Sequence, residues 1–126
     1  MDYILIVEDE ESLVRALKDN LEMEGYAVGT ATNGEEAIKE LQKQPPNIIL
    51  LDLLMPKRDG FYVLEEVKKN PQWKKIIVIV LSNLGGDQEI KQAIDMGADD
   101  YFVKSQHPIE EVIKKVKEYL GKKEVR

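Results

Sequence analysis

The chain has 126 residues, 43% of them hydrophobic, which suits one domain with a single core rather than two domains. Zero cysteines and one histidine exclude disulfide bonds and thiolate zinc sites, so any bound metal is expected to have oxygen ligands. The net charge of −6 disfavours nonspecific binding to nucleic acids, and the lack of a long apolar stretch or signal segment predicts a cytoplasmic protein without membrane contact.

Five short apolar or β-branched runs, each bounded by polar turn residues, predict β-strands at residues 3–7, 27–31, 48–51, 76–81 and 101–103. Apolar residues at helical spacing follow each run and predict five helices. The last helix is expected to begin near Pro108 and to end at Gly121 as its C-cap, which leaves residues 122–126 as a tail of the 1–121 domain. Strict strand–helix alternation predicts a doubly wound, flavodoxin-like α/β fold: a five-stranded parallel sheet with helices on both faces.

The third predicted strand is wholly apolar, which is typical of a parallel strand covered on both faces, and Asp52 follows it directly. In open α/β sheets, ligands bind at the carboxyl ends of the strands. The carboxyl ends of the other strands contribute Glu8 and Asp9 after the first, Ser82 after the fourth and Lys104 after the fifth. We therefore expect these five side chains to converge at one edge of the sheet.

Three carboxylates in one place repel one another, and a divalent cation relieves that repulsion. Oxygen ligands without sulfur or imidazole suit a hard ion, and Mg²⁺ commonly combines one or two carboxylates with waters and a phosphate. Lys104 and the Ser82 hydroxyl could bind phosphate oxygens, and an aspartate such as Asp52 can itself attack phosphorus. The sequence thus predicts magnesium-assisted phosphoryl chemistry.

Four ordered motifs carry a resemblance that covers nearly the whole chain. They are Val7-Glu8-Asp9-Glu10, the segment from Asp52 through Met55-Pro56 to Gly60, Ser82, and Tyr101-Phe102-Val103-Lys104. In these residues the chain resembles the receiver domains of two-component response regulators. The resemblance implies a signalling switch rather than an enzyme.

By this resemblance, Asp52 accepts a phosphoryl group from a sensor histidine kinase or phosphotransfer protein. Asp9 and Asp52 ligate Mg²⁺ together with the backbone carbonyl of Leu54, and Glu8 acts through a bound water. No other cofactor is implied.

The resemblance also assigns Ser82 and Lys104 to the phosphoryl oxygens and Tyr101 to a rotamer switch. The signal would leave through the face formed by the fourth helix, fifth strand and fifth helix, toward an unknown protein target. The protein would be a monomer or a phosphorylation-dependent dimer without direct contact to nucleic acid.

Two departures from the family pattern lead to separate predictions. Most receivers have a proline after the lysine, usually with a cis peptide bond, whereas this chain has Ser105. Because a cis bond before a non-proline residue costs roughly 2.5–4 kcal/mol, we predict a trans bond and a rearranged loop, which puts the reach of Lys104 in question. Leu54 and Leu84 lie two residues after Asp52 and Ser82, where neither can orient a hydrolytic water, which predicts slow autodephosphorylation.

Three alternatives compete with a phosphorylated receiver: a receiver-like interaction module independent of phosphorylation, a phosphatase with Asp52 as nucleophile, and a flavin-binding module. The phosphatase usually needs a second aspartate where Leu54 stands, and the flavin phosphate would be repelled by the acidic segment 8–11. His107 precedes Pro108 at a predicted helix start, so we interpret it as a capping residue rather than a catalytic one.

Overall fold

The structure is a computed structural model that describes the backbone of residues 1–124 and the side chains as far as residue 121. The strands are β1 (Tyr3–Val7), β2 (Ala27–Ala31), β3 (Ile48–Leu51), β4 (Ile77–Ser82) and β5 (Asp100–Val103). The helices are α1 (Glu11–Met23), α2 (Gly34–Lys43), α3 (Gly60–Lys69), α4 (Asp87–Asp95) and α5 (Ile109–Glu124). Within these described residues, none of the helices has the length and apolar content needed to cross a bilayer.

The five strands form one parallel sheet in the order β2-β1-β3-β4-β5. Alternate residues of a strand point to opposite faces. Leu5 and Val7 accordingly join a core with α2, α3 and α4, whereas Ile4 and Ile6 join a second core with α1 and α5. The predicted doubly wound fold is confirmed.

Three predicted elements have different bounds in the structure. The fifth strand begins at Asp100, one residue earlier than predicted. The fourth strand lies one residue further along than predicted and includes Ser82, because its pairing with Val103 extends the ladder to that residue. Helix α5 continues past Gly121 to Glu124, so Gly121 is not the C-cap. Gly121 lacks the positive φ that a glycine cap requires, since only Gly25 and Gly97 have it among the described glycines. Of the predicted tail, residues 125 and 126 lie outside the described part.

A tight loop between β3 and α3 fixes the backbone after Asp52. The Gly60 N–H donates to the Leu53 carbonyl over 3.1 Å, and a Cβ atom at Gly60 would overlap the carbonyl of Asp52. The loop turns through Lys57 and Arg58, whose φ values of 49° and 69° are uncommon for residues other than glycine. Glycine at position 60 is therefore required by the close approach of two backbone segments.

Candidate functional site

The carboxyl ends of β1, β3, β4 and β5 bring the predicted polar side chains to one edge of the sheet. Glu8, Asp52 and Ser82 are all buried, with exposed fractions of 3%, 5% and 0%. The Asp52 N–H donates to the Val7 carbonyl over 3.0 Å, and the Lys104 N–H donates to the Ser82 carbonyl over 2.8 Å. The sheet's hydrogen bonds thus continue into the site and hold the backbone of its polar residues.

Three carboxylates form the acidic cluster: Glu8, Asp9 and Asp52 each have a carboxylate oxygen within 4.8 Å of the others. Glu8 and Asp52 are buried, whereas Asp9 is exposed. These hard oxygen donors suit Mg²⁺ or Mn²⁺. Leu54 lines the same cleft, and its N–H donates to Asp52 Oδ1 over 3.1 Å, which orients that carboxylate.

The Lys104 ammonium lies among the carboxylates. Its Nζ is 2.9 Å from Glu8 Oε1, 3.3 Å from Asp52 Oδ2 and 3.7 Å from Glu10 Oε1. Burial raises the pKa of Glu8, a shift that the hydrogen bond from Lys104 opposes and the charge of Asp52 reinforces. Burial alone would lower the pKa of Lys104, but the hydrogen bond to Glu8 and the charge of Asp52 raise it on balance. Lys104 therefore remains cationic beside Asp52.

The peptide bond between Lys104 and Ser105 is trans, since the described chain contains no cis peptide bond, and that prediction is confirmed. The trans bond does not prevent the side chain from reaching the site, because Lys104 contacts both Glu8 and Asp52. After this trans bond the backbone forms a turn, in which the N–H groups of Gln106 and His107 donate to the Val103 carbonyl over 2.9 and 3.2 Å.

Ser82 and Tyr101 meet at the loop between β4 and α4. The Ser82 hydroxyl oxygen accepts a hydrogen bond from the Leu84 N–H over 3.3 Å, and the Tyr101 hydroxyl donates to the Leu84 carbonyl. Burial raises the pKa of Tyr101, and the charges of Glu89 and Asp52 add to that shift. One residue of this loop, Leu84, therefore contacts both the predicted phosphoryl ligand and the predicted switch.

The cleft above Asp52 has a volume of about 210 Å³. Its lining includes two residues that the sequence did not single out as site residues, Glu10 and Asn83. Each directly follows a predicted site residue, which is the only signal that could have indicated them. Leu54, with 52% of its surface exposed, also lines this cleft, and Leu84 is half-buried in the neighbouring loop.

The sequence-family model that describes the response regulator receiver domain matches residues 4–117, which is most of the chain. This chain belongs to the receiver-domain family of response regulators. Receiver domains are generally signalling modules rather than enzymes, and they interact with histidine kinases or phosphotransfer proteins. They also bind divalent metal, which agrees with the acidic cluster.

Two curated relatives are transcriptional regulators. The receiver is 39% identical over 124 residues to the alkaline phosphatase synthesis transcriptional regulatory protein PhoP of Bacillus subtilis (strain 168), covering 97% of this chain and 50% of the relative. It is 43% identical over 107 residues to the probable transcriptional regulator ycf27 of Cyanophora paradoxa, covering 85% of this chain and 44% of the relative. The chain thus spans about half the length of the curated relatives it matches.

Two similar solved structures show states relevant to the site. The Mn²⁺-bound form of response regulator Rcp1 superimposes with a TM-score of 0.84 at 28% identity, covering 95% of this chain and 94% of that chain. The phosphorylated cyanobacterial phytochrome response regulator RcpA has a TM-score of 0.83 at 31% identity, covering 94% of this chain and 92% of that chain.

Proposed function

We propose that this receiver is a phosphorylation-dependent switch in which Asp52 accepts the phosphoryl group from a histidine kinase phosphohistidine. The observation that carries the proposal is the buried Asp52 carboxylate with the Lys104 ammonium 3.3 Å away, beside the acidic cluster. A carboxylate can act as a nucleophile toward phosphorus. A phosphorylated relative of the same fold, RcpA, supports this use of the site.

Asp9, Asp52 and the backbone carbonyl of Leu54 would hold Mg²⁺, with Glu8 acting through a bound water. The fit rests on the three carboxylate oxygens within 4.8 Å of one another and on the Mn²⁺-bound relative Rcp1. When bound, the metal supplies positive charge that offsets the charge on the transferred phosphoryl oxygens.

Transfer breaks the phosphorus–nitrogen bond of the donor histidine as an Asp52 carboxylate oxygen bonds to phosphorus. Lys104 neutralises one phosphoryl oxygen, and its short distance to Asp52 supports that role. The Ser82 hydroxyl donates to another phosphoryl oxygen in a charge-assisted hydrogen bond. Turning toward that oxygen moves the Ser82 hydroxyl oxygen away from the Leu84 N–H, from which it accepts a hydrogen bond over 3.3 Å.

Loss of that contact frees the loop after β4, and Tyr101 is proposed as the switch because its hydroxyl bonds the same loop. The altered surface is that of α4, β5 and α5, which a protein target reads. Monomeric and phosphorylation-dependent dimeric forms are both compatible with this output, and direct nucleic-acid binding by this chain is not part of it. The receiver unit at residues 1–121 and the cytoplasmic location belong to the same proposal.

The test is intact-mass measurement after incubation with acetyl phosphate and Mg²⁺. We expect one phosphoryl adduct on the unmodified chain and on Asp95→Asn, which changes an exposed aspartate of α4, and none on Asp52→Asn. An adduct that persists in Asp52→Asn would place the acceptor elsewhere. No adduct on the unmodified chain, with Mg²⁺ binding confirmed, would favour a phosphorylation-independent interaction module.

A further inference from the structure

The loop that joins β5 to α5 borders a cleft and exposes two of its residues to solvent. Lys104 begins this loop, which then passes through Ser105, Gln106 and His107 to Pro108. A cleft of about 300 Å³ lies beside it, with Lys104, Ser105 and His107 in its lining. Ser105 and Gln106 are exposed. A segment with few packing contacts opens readily unless other contacts hold it.

His107 supplies two such contacts. Its Nδ1 lies 2.7 Å from Glu111 Oε1 in the first turn of α5, so the imidazole bonds a side chain rather than capping the helix backbone. Its ring also stands edge-on to the buried Phe102 ring of β5, at 5.2 Å and 85°. Edge-to-face pairs of this kind stabilise a fold beyond the area they bury. Through these two contacts, His107 links the end of the loop to β5 and to α5.

We propose that His107 is a positioning residue that acts through Lys104, an inference that rests on the proposed phosphorylation of Asp52. The N–H groups of Gln106 and His107 both donate to the Val103 carbonyl, so the turn closes immediately around Lys104. That turn sets the direction in which the lysine side chain leaves β5. If the loop is loosened at His107, the Lys104 Nζ shifts from its place 2.9 Å from Glu8 and 3.3 Å from Asp52. Phosphoryl transfer depends on that placement of the ammonium.

Ser105 explains why a side-chain contact is needed at this place. A proline there would fix φ and stiffen the loop through the backbone, whereas serine leaves φ free. The rigidity of the loop must then come from contacts beyond Ser105. Among the described side chains of residues 105–107, only His107 bonds another element.

The test compares phosphorylation of His107→Ala and Gln106→Ala by acetyl phosphate and Mg²⁺ with that of the unmodified chain. Gln106→Ala is the matched control, because its exposed side chain has no hydrogen bond or ion pair within the described residues. We expect His107→Ala to lower the rate at saturating donor by roughly three- to tenfold, the size of a small misplacement of a charged group. Half-saturating donor concentration should stay within about twofold, because donor binding does not require the histidine.

Repeating the comparison in a Lys104→Met background distinguishes a loss of folding in His107→Ala from a loss of the positioning of Lys104. If His107 acts through Lys104, the histidine substitution has almost no further effect there. An equal loss in both backgrounds, or an unchanged rate in His107→Ala, would overturn the proposal.

Amide hydrogen exchange keeps this inference separate from the phosphorylation of Asp52. The amides of Gln106 and His107 should exchange about tenfold faster in His107→Ala, whether or not the protein takes a phosphoryl group. Unchanged exchange would refute the role of the histidine by itself. Failure of the unmodified chain to accept phosphoryl would instead refute the proposed function.

Discussion

The Lys104 ammonium lies 2.9 Å from the Glu8 carboxylate, and both side chains are largely withdrawn from solvent, with exposed fractions of 14% and 3%. A buried carboxylate without a partner is strongly unfavourable, so this contact offsets part of the repulsion within the acidic cluster. Lys104 is also the group proposed to bind the phosphoryl oxygens. One side chain thus links the stability of the site to its chemistry.

The acidic cluster predicts opposite effects of Asp9→Asn with and without magnesium. Without added Mg²⁺, the substitution removes one of three mutually repelling carboxylates and should raise the free energy of unfolding by about 1 kcal/mol. With Mg²⁺ the unmodified chain should gain stability by mass action, whereas the variant gains little because it lacks a ligand. Urea unfolding followed by fluorescence of Trp73, the single buried tryptophan, measures both quantities.

Asp19→Asn is the matched control for this prediction, because Asp19 is an exposed α1 aspartate outside the acidic cluster. It should show the full stabilisation by Mg²⁺. Equal stabilisation of Asp9→Asn and the unmodified chain would contradict the assignment of Asp9 as a ligand.

Leu54 and Leu84 predict a long-lived phosphoryl group. Neither side chain can hydrogen-bond a water, although Leu54 borders the cleft directly. Introducing polar groups with Leu54→Asn and Leu84→Glu together should shorten the phosphoryl lifetime at least about tenfold, as expected for a positioned proton acceptor. Decay of the intact-mass adduct after removal of donor measures this.

The paired apolar substitutions Leu54→Met and Leu84→Met control for altered packing and should leave the lifetime within about twofold. A lifetime in the polar variant as long as in the unmodified chain would show that these positions do not limit hydrolysis.

The sequence predicts most of the fold because local and tertiary preferences agree. The apolar run 48–51 pairs on both sides within the sheet and is buried throughout, so its pattern has one interpretation. Strands and helices alternate along the chain, so all strands of the sheet are parallel and their carboxyl ends lie at one edge. Glu8, Asp52 and Lys104 each directly follow a strand, which places them at that edge. The convergence of the site could therefore be predicted without side-chain detail.

Contacts between loop side chains could not be predicted in the same way. The approach of Glu10 to Lys104 depends on the rotamers of two long side chains, which no periodic pattern encodes. The contact of His107 with Phe102 depends on the path of a loop whose backbone Ser105 leaves unrestricted. Gly121 was misinterpreted for a related reason, because a glycine near a helix end does not by itself show that the chain leaves the helix there.

Tyr119 predicts a loss of stability at alkaline pH. Its hydroxyl hydrogen is shared between Asp100 Oδ2, 3.1 Å away, and the Asp99 carbonyl, 3.2 Å away. Burial together with the charge of Asp100 raises the pKa of Tyr119 to about 12. An unfolded tyrosine has a pKa of about 10, so the folded chain holds this proton more tightly. The resulting stabilisation is fully present below about pH 10 and is lost as pH rises through about 12.

Tyr119→Phe should flatten the fall of the unfolding free energy between these pH values without abolishing it, because burial also raises the pKa of Tyr3 and Tyr101. Urea midpoints recorded by Trp73 fluorescence across that range test the difference. Tyr62→Phe is the matched control, because the hydroxyl that it removes from a half-buried α3 tyrosine makes no hydrogen bond within the described residues. Identical slopes for Tyr119→Phe and the unmodified chain would contradict the prediction.

The position of Tyr101 predicts that its substitution affects the response of the loop after β4 to phosphorylation but not the phosphorylation rate itself. Its hydroxyl donates a hydrogen bond to the Leu84 carbonyl. Tyr101 is not among the residues that line the cleft above Asp52. Tyr101→Phe should therefore accept the phosphoryl group at a rate within about twofold of the unmodified chain, while losing about 1 kcal/mol of stability with the hydrogen bond.

The informative measurement for Tyr101 is amide exchange of residues 82–86 and α4 before and after phosphorylation. In the unmodified chain we expect phosphorylation to change exchange there, because the Ser82 oxygen moves away from the Leu84 N–H while the Tyr101 hydroxyl keeps its bond to the Leu84 carbonyl. In Tyr101→Phe the loop is already loosened, so the difference between the two states should fall to less than about half. An undiminished difference would mean that the loop transmits the signal without the tyrosine hydroxyl, and that Tyr101 contributes packing alone.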